Sequence, residues 1–316
     1  MLSNLIFSLN ATIPIFLMMV VGYVLKHIGM LDDHSTGVIN KLVFRVFLPA
    51  LLFMDLAEQD FVTMWDGSFV LFCAVSTVLS ILISAVLSRI CKNPADRGEF
   101  IQASFRSGAA TLGIAFMTNI YDNVAMVALM IIGSVPIYNV VAVLILSLTA
   151  PKDEKTDGLA LAKKTLKNVV TNPIILGIVV GLLWSVLSLP QPPILVKSVT
   201  YLGNVASPLA LIGLGASFEF AELKENLKAL ICINFNKLVL FALLFLPVAV
   251  YMGYRDEKMV AALIMLGSAT TSSSFIMAKN MGHRGHISSS AVMTTTLFSS
   301  FTLTVWLFVL RSLGYI

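Results

Sequence analysis

Residues 12–22 read TIPIFLMMVVG and residues 171–181 read TNPIILGIVVG, identical at seven of eleven positions and separated by an offset of 159. The same offset pairs Pro49 with Pro208, Ala57 with Ala216 and Phe61 with Phe220. Further along it pairs Ala103 with Ala262, Gly108 with Gly267, Ala110 with Ala269, Thr111 with Thr270 and Phe116 with Phe275. One offset, without slippage over most of 316 residues, marks two copies of one unit. Leu/Val-rich composition alone mimics a repeat poorly, because it does not pair prolines and glycines. A duplicated unit in a membrane chain points to a transporter.

Composition places the chain in the bilayer. It is 58% hydrophobic and 12% charged, against roughly 25% charged in an average soluble chain. Long apolar runs recur from end to end, and the alternating pattern of a barrel strand is absent, so the spans are helices that satisfy their own backbone hydrogen bonds. No Lys or Arg precedes the first apolar run, which does not read as a secretory signal. Cys73, Cys91 and Cys232 show no metal or disulfide spacing. The net charge of +4 comes mostly from loops and does not argue for nucleic acid.

Hydropathy predicts ten spans, near 5–26, 37–57, 67–90, 98–120, 123–149, 166–188, 194–217, 226–250, 257–280 and 287–312. Loops after odd-numbered spans carry most of the Lys and Arg, among them Arg89, Lys92, Arg97, Lys152, Lys163 and Lys164. The opposite side holds Lys197, Arg255, Lys258 and Arg311, and also Glu58, Asp60, Asp66 and Asp122 without basic neighbours. By the positive-inside rule the 151–168 loop is cytoplasmic and both termini are extracytoplasmic. Five spans per copy is an odd number, so the second copy enters the membrane upside down. The expected architecture is an all-α, multi-pass cell-membrane protein of two inverted five-helix repeats, 1–150 and 166–316, with a cytoplasmic linker at 151–165.

Transporters of this design bind substrate near the midplane, at interrupted helices between the repeats. Spans four and nine are repeat mates and carry the small polar runs SGAATLG (107–113) and GSATTSSS (267–274). A break there frees backbone groups, tolerated only beside protein or a water-filled cavity. The amino ends of the half-helices would suit a carboxylate. The alternative is that Gly, Ser, Ala and Thr simply line a tight helix contact. The candidate substrate residues are Arg106, Gly108, Thr111, Gly113, Tyr138, Asn139, Thr270, Thr271, Ser272 and Ser273. Arg106 either attracts an anion or snorkels to the cytoplasmic surface. For Arg45 and Lys237 snorkelling or loop pairing is the favoured reading, and Asp55 is placed at interfacial water. Asn119, Asn234, Asn236, Lys279 and Asn280 are weaker candidates. Pro14 and Pro173 bend or open spans one and six, and Gly22 and Gly181 allow close packing.

The four histidines lie at loops, and no zinc-protease, nucleophile-elbow or P-loop motif occurs. The chain reads as neither an enzyme nor an ATP-driven pump, with no cofactor or metal.

The stretches TNPIILGIVVGLL (171–183), YLGNVASPLALIGLGASF (201–218) and FRSGAATLGIAFMTNIY (105–121) resemble the auxin efflux carrier family, which includes bacterial organic-anion carriers. The resemblance implies ten helices with the fourth and ninth broken and crossed. It implies a scaffold of spans 1, 2, 6 and 7, a transport body of spans 3–5 and 8–10 moving like an elevator, organic-anion substrates and a homodimer. Plant members carry proline at the crossing and a long insert between repeats; here Thr111–Gly113 and Thr270–Ser273 occupy the crossing and the linker is short. A small mono- or dicarboxylate, such as malate or malonate, fits a hydroxyl-rich crossing better than an indole acid. Coupling to sodium or protons is left open. A sodium- or proton-coupled cation antiporter on a related crossed-helix fold is the second hypothesis. It requires buried carboxylates, and Asp55 is counted as the only one within a span. A sensor or complex subunit is the third, and no loop is long enough for an effector domain.

Overall fold

The computed structural model describes residues 2–57, 65–121, 125–150, 167 and 170–316. Glu58, Asp60, Phe61, Asp122 and the 151–165 linker lie outside the described residues. The described chain is all helical. Helix α1 spans Leu2–His27. Helix α2 (Asp33–Leu42) continues through a π turn at Val43–Phe47 into α3 (Leu48–Ala57). Then come α4 (Gly67–Leu87), α5 (Arg97–Phe105), α6 (Ala109–Tyr121) and α7 (Ala125–Thr149). The second half begins with α8 (Pro173–Val186), α9 (Pro193–Ala216) and the short α10 (Phe220–Glu225). Helix α11 (Leu227–Phe235) passes through a second π turn, Asn236–Leu240, into α12 (Phe241–Tyr251). The chain ends with α13 (Asp256–Gly267), α14 (Ser273–Asn280) and α15 (His286–Ser312).

Six helical stretches are long and apolar enough to cross a bilayer: Asp33–Ala57, Gly67–Ile90, Met126–Thr149, Pro193–Ala216, Leu227–Tyr251 and His286–Ser312. Ile13–His27 and Pro173–Val186 are shorter apolar helices. This is a membrane protein with several helical spans. Spans four and nine are each two half-helices. Arg106 leaves the helix in extended conformation (φ −70°, ψ 137°), and Ser268 does the same (φ −85°, ψ 168°). Helix α13, at twelve residues, rises only about 18 Å, so the second break falls inside the bilayer.

Lipid tails are as apolar as leucine, so close backbone approach and internal hydrogen bonds hold such helices together. A Cβ on Gly22 of α1 would fall 2.1 Å from the Ile212 carbonyl oxygen of α9, and one on Gly181 of α8 2.7 Å from the Phe53 carbonyl oxygen of α3. The offset of 159 converts Gly22 into Gly181 and Phe53 into Ile212, so one contact occurs twice. Buried hydroxyls close onto their own helices: Ser76, Ser80 and Ser84 of α4 donate to carbonyls four residues back, as do Thr294, Thr295 and Thr304 of α15. Such bonding keeps polar groups satisfied without water. At the start of α4, Asp66 caps the helix by accepting from the Ser68 and Phe69 amides and pairs with Lys258 of α13. Asp66 therefore has a basic neighbour in space that its sequence neighbours did not reveal.

Three sequence expectations are corrected. Lys237 does not snorkel: it is fully buried in the second π turn, and its Nζ donates to the Met265 (3.0 Å) and Leu266 (3.2 Å) carbonyls. These are orphan acceptors at the end of α13, and the cation also meets the negative end of that helix. Asp55 is not the only carboxylate within a span. Glu99 of α5 is 1% exposed and accepts from the Gly285 (2.7 Å) and Ser288 (3.0 Å) amides at the start of α15. Asp55 itself faces an internal cavity, as described next.

Candidate transport site at the helix crossing

The two breaks touch. The Gly108 amide donates to the Ala269 carbonyl at 2.9 Å. Each break also sends a hydroxyl to the carboxyl end of the opposite half-helix. Ser107 Oγ donates to the Ile264 carbonyl of α13 (3.2 Å), and Thr270 Oγ1 donates to the Ala103 carbonyl of α5 (2.6 Å). A helix end leaves carbonyls short of intrahelical partners: Thr270 supplies one to Ala103, and the Ile264 carbonyl, which also accepts from the Ser268 amide, takes a second donor from Ser107. Ser107 and Ser268 hydroxyls meet at 2.5 Å. The Thr270 amide is held by Thr295 Oγ1 at 3.0 Å. The crossing is thus tied to α15 as well.

Beside it lies a cavity of about 70 Å³. Its polar lining comes from Asp55 on α3, Arg106, Ser107 and Gly108 at the first break, Tyr138 and Asn139 on α7, Ser207 on α9, and Thr271, Ser272 and Ser273 at the second break. Leu48, Leu51, Leu52 and Val135 supply the apolar part. Helix α6 starts at Ala109 and α14 at Ser273, so both amino ends lie at the lining and bring partial positive charge.

Arg106 is 2% exposed, so it does not snorkel. One Nη2 donates to Asn139 Oδ1 (2.9 Å) and to Ser273 Oγ (2.8 Å), and Nη1 approaches the Met277 thioether. Its Nε is buried without an acceptor. Among the described residues no carboxylate forms an ion pair with Arg106. Asn139 Nδ2 donates to the Val135 carbonyl at 2.9 Å, which orients its oxygen toward the guanidinium. Tyr138 leans on Phe105 at a centroid distance of 5.8 Å.

Of the residues singled out from sequence, Arg106, Gly108, Tyr138, Asn139, Thr271, Ser272 and Ser273 line this cavity. Thr270 does not; its hydroxyl is used in the crossing. Gly113 is packed within α6, where an added Cβ would meet Val127 at 3.0 Å. Thr111 is in the first turn of α6, and its side chain lies outside the described ones, as does that of Asn119. Asn234 donates to Thr294, Asn236 to Cys232, and Asn280 to the Asn40 carbonyl. Arg45 is exposed. Lys279 lines a second, larger cavity of about 410 Å³ with Lys26, His27, Asp33 and Glu219. Asp55, Ser107 and Ser207 were missed as lining residues. Ser107 sits within the quoted small-residue run, and Ser207 precedes the repeat-paired Pro208, but nothing local in sequence aims Asp55 inward.

The profile of the family described as Membrane transport protein matches residues 7–307. The chain belongs to that family. This is the auxin efflux carrier family that the three quoted stretches resemble, and the protein is a transporter, not an enzyme. A relative named "Putative malonate transporter" from Rhizobium meliloti (strain 1021) is 25% identical over 305 residues, covering 95% of each chain. Another, named "Uncharacterized transporter", from Methanothermobacter thermautotrophicus, is 19% identical over 309 residues, covering 96% of this chain and 98% of its own. Among solved structures, the sodium proton antiporter MjNhaP1 from Methanocaldococcus jannaschii at pH 8 superposes with a TM-score of 0.64 at 14% identity, covering 96% of this chain and 97% of that one. At that identity the likeness speaks for the fold, in which helices cross.

Proposed function

We propose that this transporter is a secondary carrier of a small organic anion, a mono- or dicarboxylate, working by alternating access around the crossing. The observation that carries the reading is Arg106, a buried guanidinium with no carboxylate partner among the described residues, facing a cavity flanked by two half-helix amino ends. A buried charge without a counter-ion is costly, and a substrate carboxylate supplies the missing one in bidentate geometry. The cavity has room for a handful of non-hydrogen atoms. The malonate name of the Rhizobium relative points to the same substrate class.

In this reading Arg106, Asn139, Ser273 and the amides opening α6 and α14 hold the anion, with Gly108 admitting it close to the backbone. Tyr138, Thr271 and Ser272 complete the wall, and Thr111 contributes from the first turn of α6. Thr270 and Gly113 support the crossing. Ten spans form two inverted repeats, 1–150 and 166–316, joined by the 151–165 linker. Spans 1, 2, 6 and 7 form the scaffold: α1 packs on α9, and α3 on α8 and α9. Spans 3–5 and 8–10 form the moving body, in which α5 packs on α4, α7 and α15. The cavity lies between the two sets, which suits elevator-like motion. Both termini are extracytoplasmic in the cell membrane, the assembly is a homodimer, and sodium or a proton couples transport.

Proteoliposome uptake of labelled malonate and other small carboxylates tests the reading. Saturable uptake that Arg106→Gln abolishes while the protein still folds supports it; equal rates in wild type and variant remove it. The likeness to a sodium proton antiporter favours one competing reading, cation exchange. Glu99 has both carboxylate oxygens engaged by amides, which leaves Asp55 as the carboxylate facing the cavity. Cation-driven lumen acidification without any organic anion would establish exchange instead.

A further inference from the structure

Several polar groups of the crossing cavity are already bonded. Ser107 Oγ is committed to the Ile264 carbonyl and to Ser268. Asn139 and Ser273 hold Arg106, and Thr271 Oγ1 meets Ser273 Oγ at 3.1 Å. Ser207 differs. Helix α9 sets it into the lining beside Leu48, Leu51 and Leu52 of α3, and its hydroxyl has no hydrogen bond among the described residues. The other serine of α9 and its threonine fold back onto their own helix. Ser198 Oγ donates to the Ile194 carbonyl at 2.8 Å and Thr200 Oγ1 to the Val196 carbonyl at 2.7 Å. Such back-bonding is how hydroxyls in these spans are satisfied without water, and Ser207 does not use it.

The duplication supplies an internal control. The offset of 159 pairs Ser207 with Leu48 and the following Pro208 with Pro49. Leu48 lines the same cavity. The equivalent position of the other copy is therefore filled by leucine, with the same proline after it, so the hydroxyl at 207 is not needed to build this part of the helix. A donor held beside three leucines is favourable only when something accepts from it. In a cavity of about 70 Å³, an anion seated on Arg106 reaches the wall that carries Ser207.

We propose that Ser207 is a specificity-determining residue of this cavity: it donates its hydroxyl to an oxygen at the far end of an anion whose carboxylate lies on Arg106, so that a short carboxylate ending in a second carboxylate or an amide is preferred to an alkanoate of similar length. The inference rests on the anion-carrier reading above. Arg106 supplies affinity for any carboxylate. Ser207 supplies discrimination, because an alkanoate buries the hydroxyl against a methyl group and leaves it without an acceptor.

The test is equilibrium binding of malonate, its monoamide malonamate, and butyrate to the purified full-length protein at neutral pH. Malonamate and butyrate are both monoanions of similar length, so a difference between them does not come from charge. Wild type is expected to bind malonate and malonamate at least about tenfold more tightly than butyrate. Ser207→Ala is expected to weaken malonate and malonamate by about tenfold while moving butyrate by less than about twofold, and Ser207→Thr to keep the wild-type order. Arg106→Gln is expected to weaken all three alike, which separates the anchor from the discriminating contact. Equal losses for the three anions in Ser207→Ala, or unchanged affinities, overturn the inference while leaving the anion-carrier reading standing. Equal affinity of wild type for malonamate and butyrate overturns it without any variant. Absence of binding by all three removes both. Should Ser207→Ala not fold, Ser207→Cys, of similar size and with a weaker donor, takes its place with the same expected split.

Discussion

Arg106 and Lys237 are both buried cations without carboxylate partners among the described residues, yet their surroundings differ. Lys237 ends on two backbone carbonyls of a helix terminus, whereas Arg106 keeps an unused Nε beside a cavity. The first arrangement is closed and the second is open to a ligand. Lys237→Met leaves the Met265 and Leu266 carbonyls unpaired, and is expected to lower stability by about 1–3 kcal/mol. Thermal unfolding in detergent measures this, and an unchanged midpoint contradicts the capping role. Arg106→Gln keeps hydrogen-bonding capacity but not charge. It is expected to weaken carboxylate binding by at least tenfold, since truncating a buried charged pair costs about 2–5 kcal/mol. At the start of α4, Lys258 and the amides of the helix cap hold the Asp66 carboxyl down at about 2, below its ordinary 3.8. A depressed acid stabilises the fold fully above its unfolded pKa and loses that contribution as pH falls through the folded value. The unfolding midpoint of wild type is therefore expected to drop between about pH 4 and 2 by more than that of Asp66→Asn. Parallel curves for the two proteins would show that the pair contributes nothing.

At the scale of elements, the half-helices of spans four and nine finish one another through Ser107 and Thr270. Thr270→Val frees the Ala103 carbonyl inside the bilayer, at an expected cost of about 1–3 kcal/mol, and Ser107→Ala, which leaves the Ile264 carbonyl its bond from the Ser268 amide, is expected to cost less. Both residues touch the Gly108–Ala269 contact region, so their effects are expected to be non-additive in the double variant. Strict additivity in thermal unfolding would show two independent breaks. The existence of the breaks was legible beforehand, because small polar runs interrupt two repeat-paired apolar segments; the first was expected at 108–113 but falls at Arg106–Gly108, with Thr111 and Gly113 already inside α6. Gly22 and Gly181 were legible as packing positions for the same reason, since both copies keep them. The π turns at Val43–Phe47 and Asn236–Leu240 were not. They occur in runs that read as ordinary apolar helix, and a shifted backbone register leaves no mark on composition. The inward aim of Asp55 and the burial of Lys237 were hidden as well. Whether a charged side chain near a span end snorkels or turns inward depends on the neighbouring helix, which a single sequence does not name. Glu99 was overlooked because its partners, the amides of Gly285 and Ser288, are backbone groups more than 180 positions away.

For the whole molecule, the repeated contact of Gly22 on Ile212 and Gly181 on Phe53 builds one wall of the cavity side from both halves of the chain. The two helix breaks and α7 build the other. Gly22→Leu and Gly181→Leu are each expected to destabilise the protein by about 1–3 kcal/mol, with similar magnitude because the contacts are related by the repeat. A large difference between them, read by thermal unfolding, would argue against equivalent halves. The account as a whole turns on the buried guanidinium at the crossing being the anchor for a carried anion. The most direct test is counterflow of labelled malonate into proteoliposomes preloaded with unlabelled malonate, comparing wild type with Arg106→Gln at equal folded protein. Accumulation of label by wild type and none by the variant is the predicted result, and equal accumulation, or none in wild type across a panel of small carboxylates, contradicts the account.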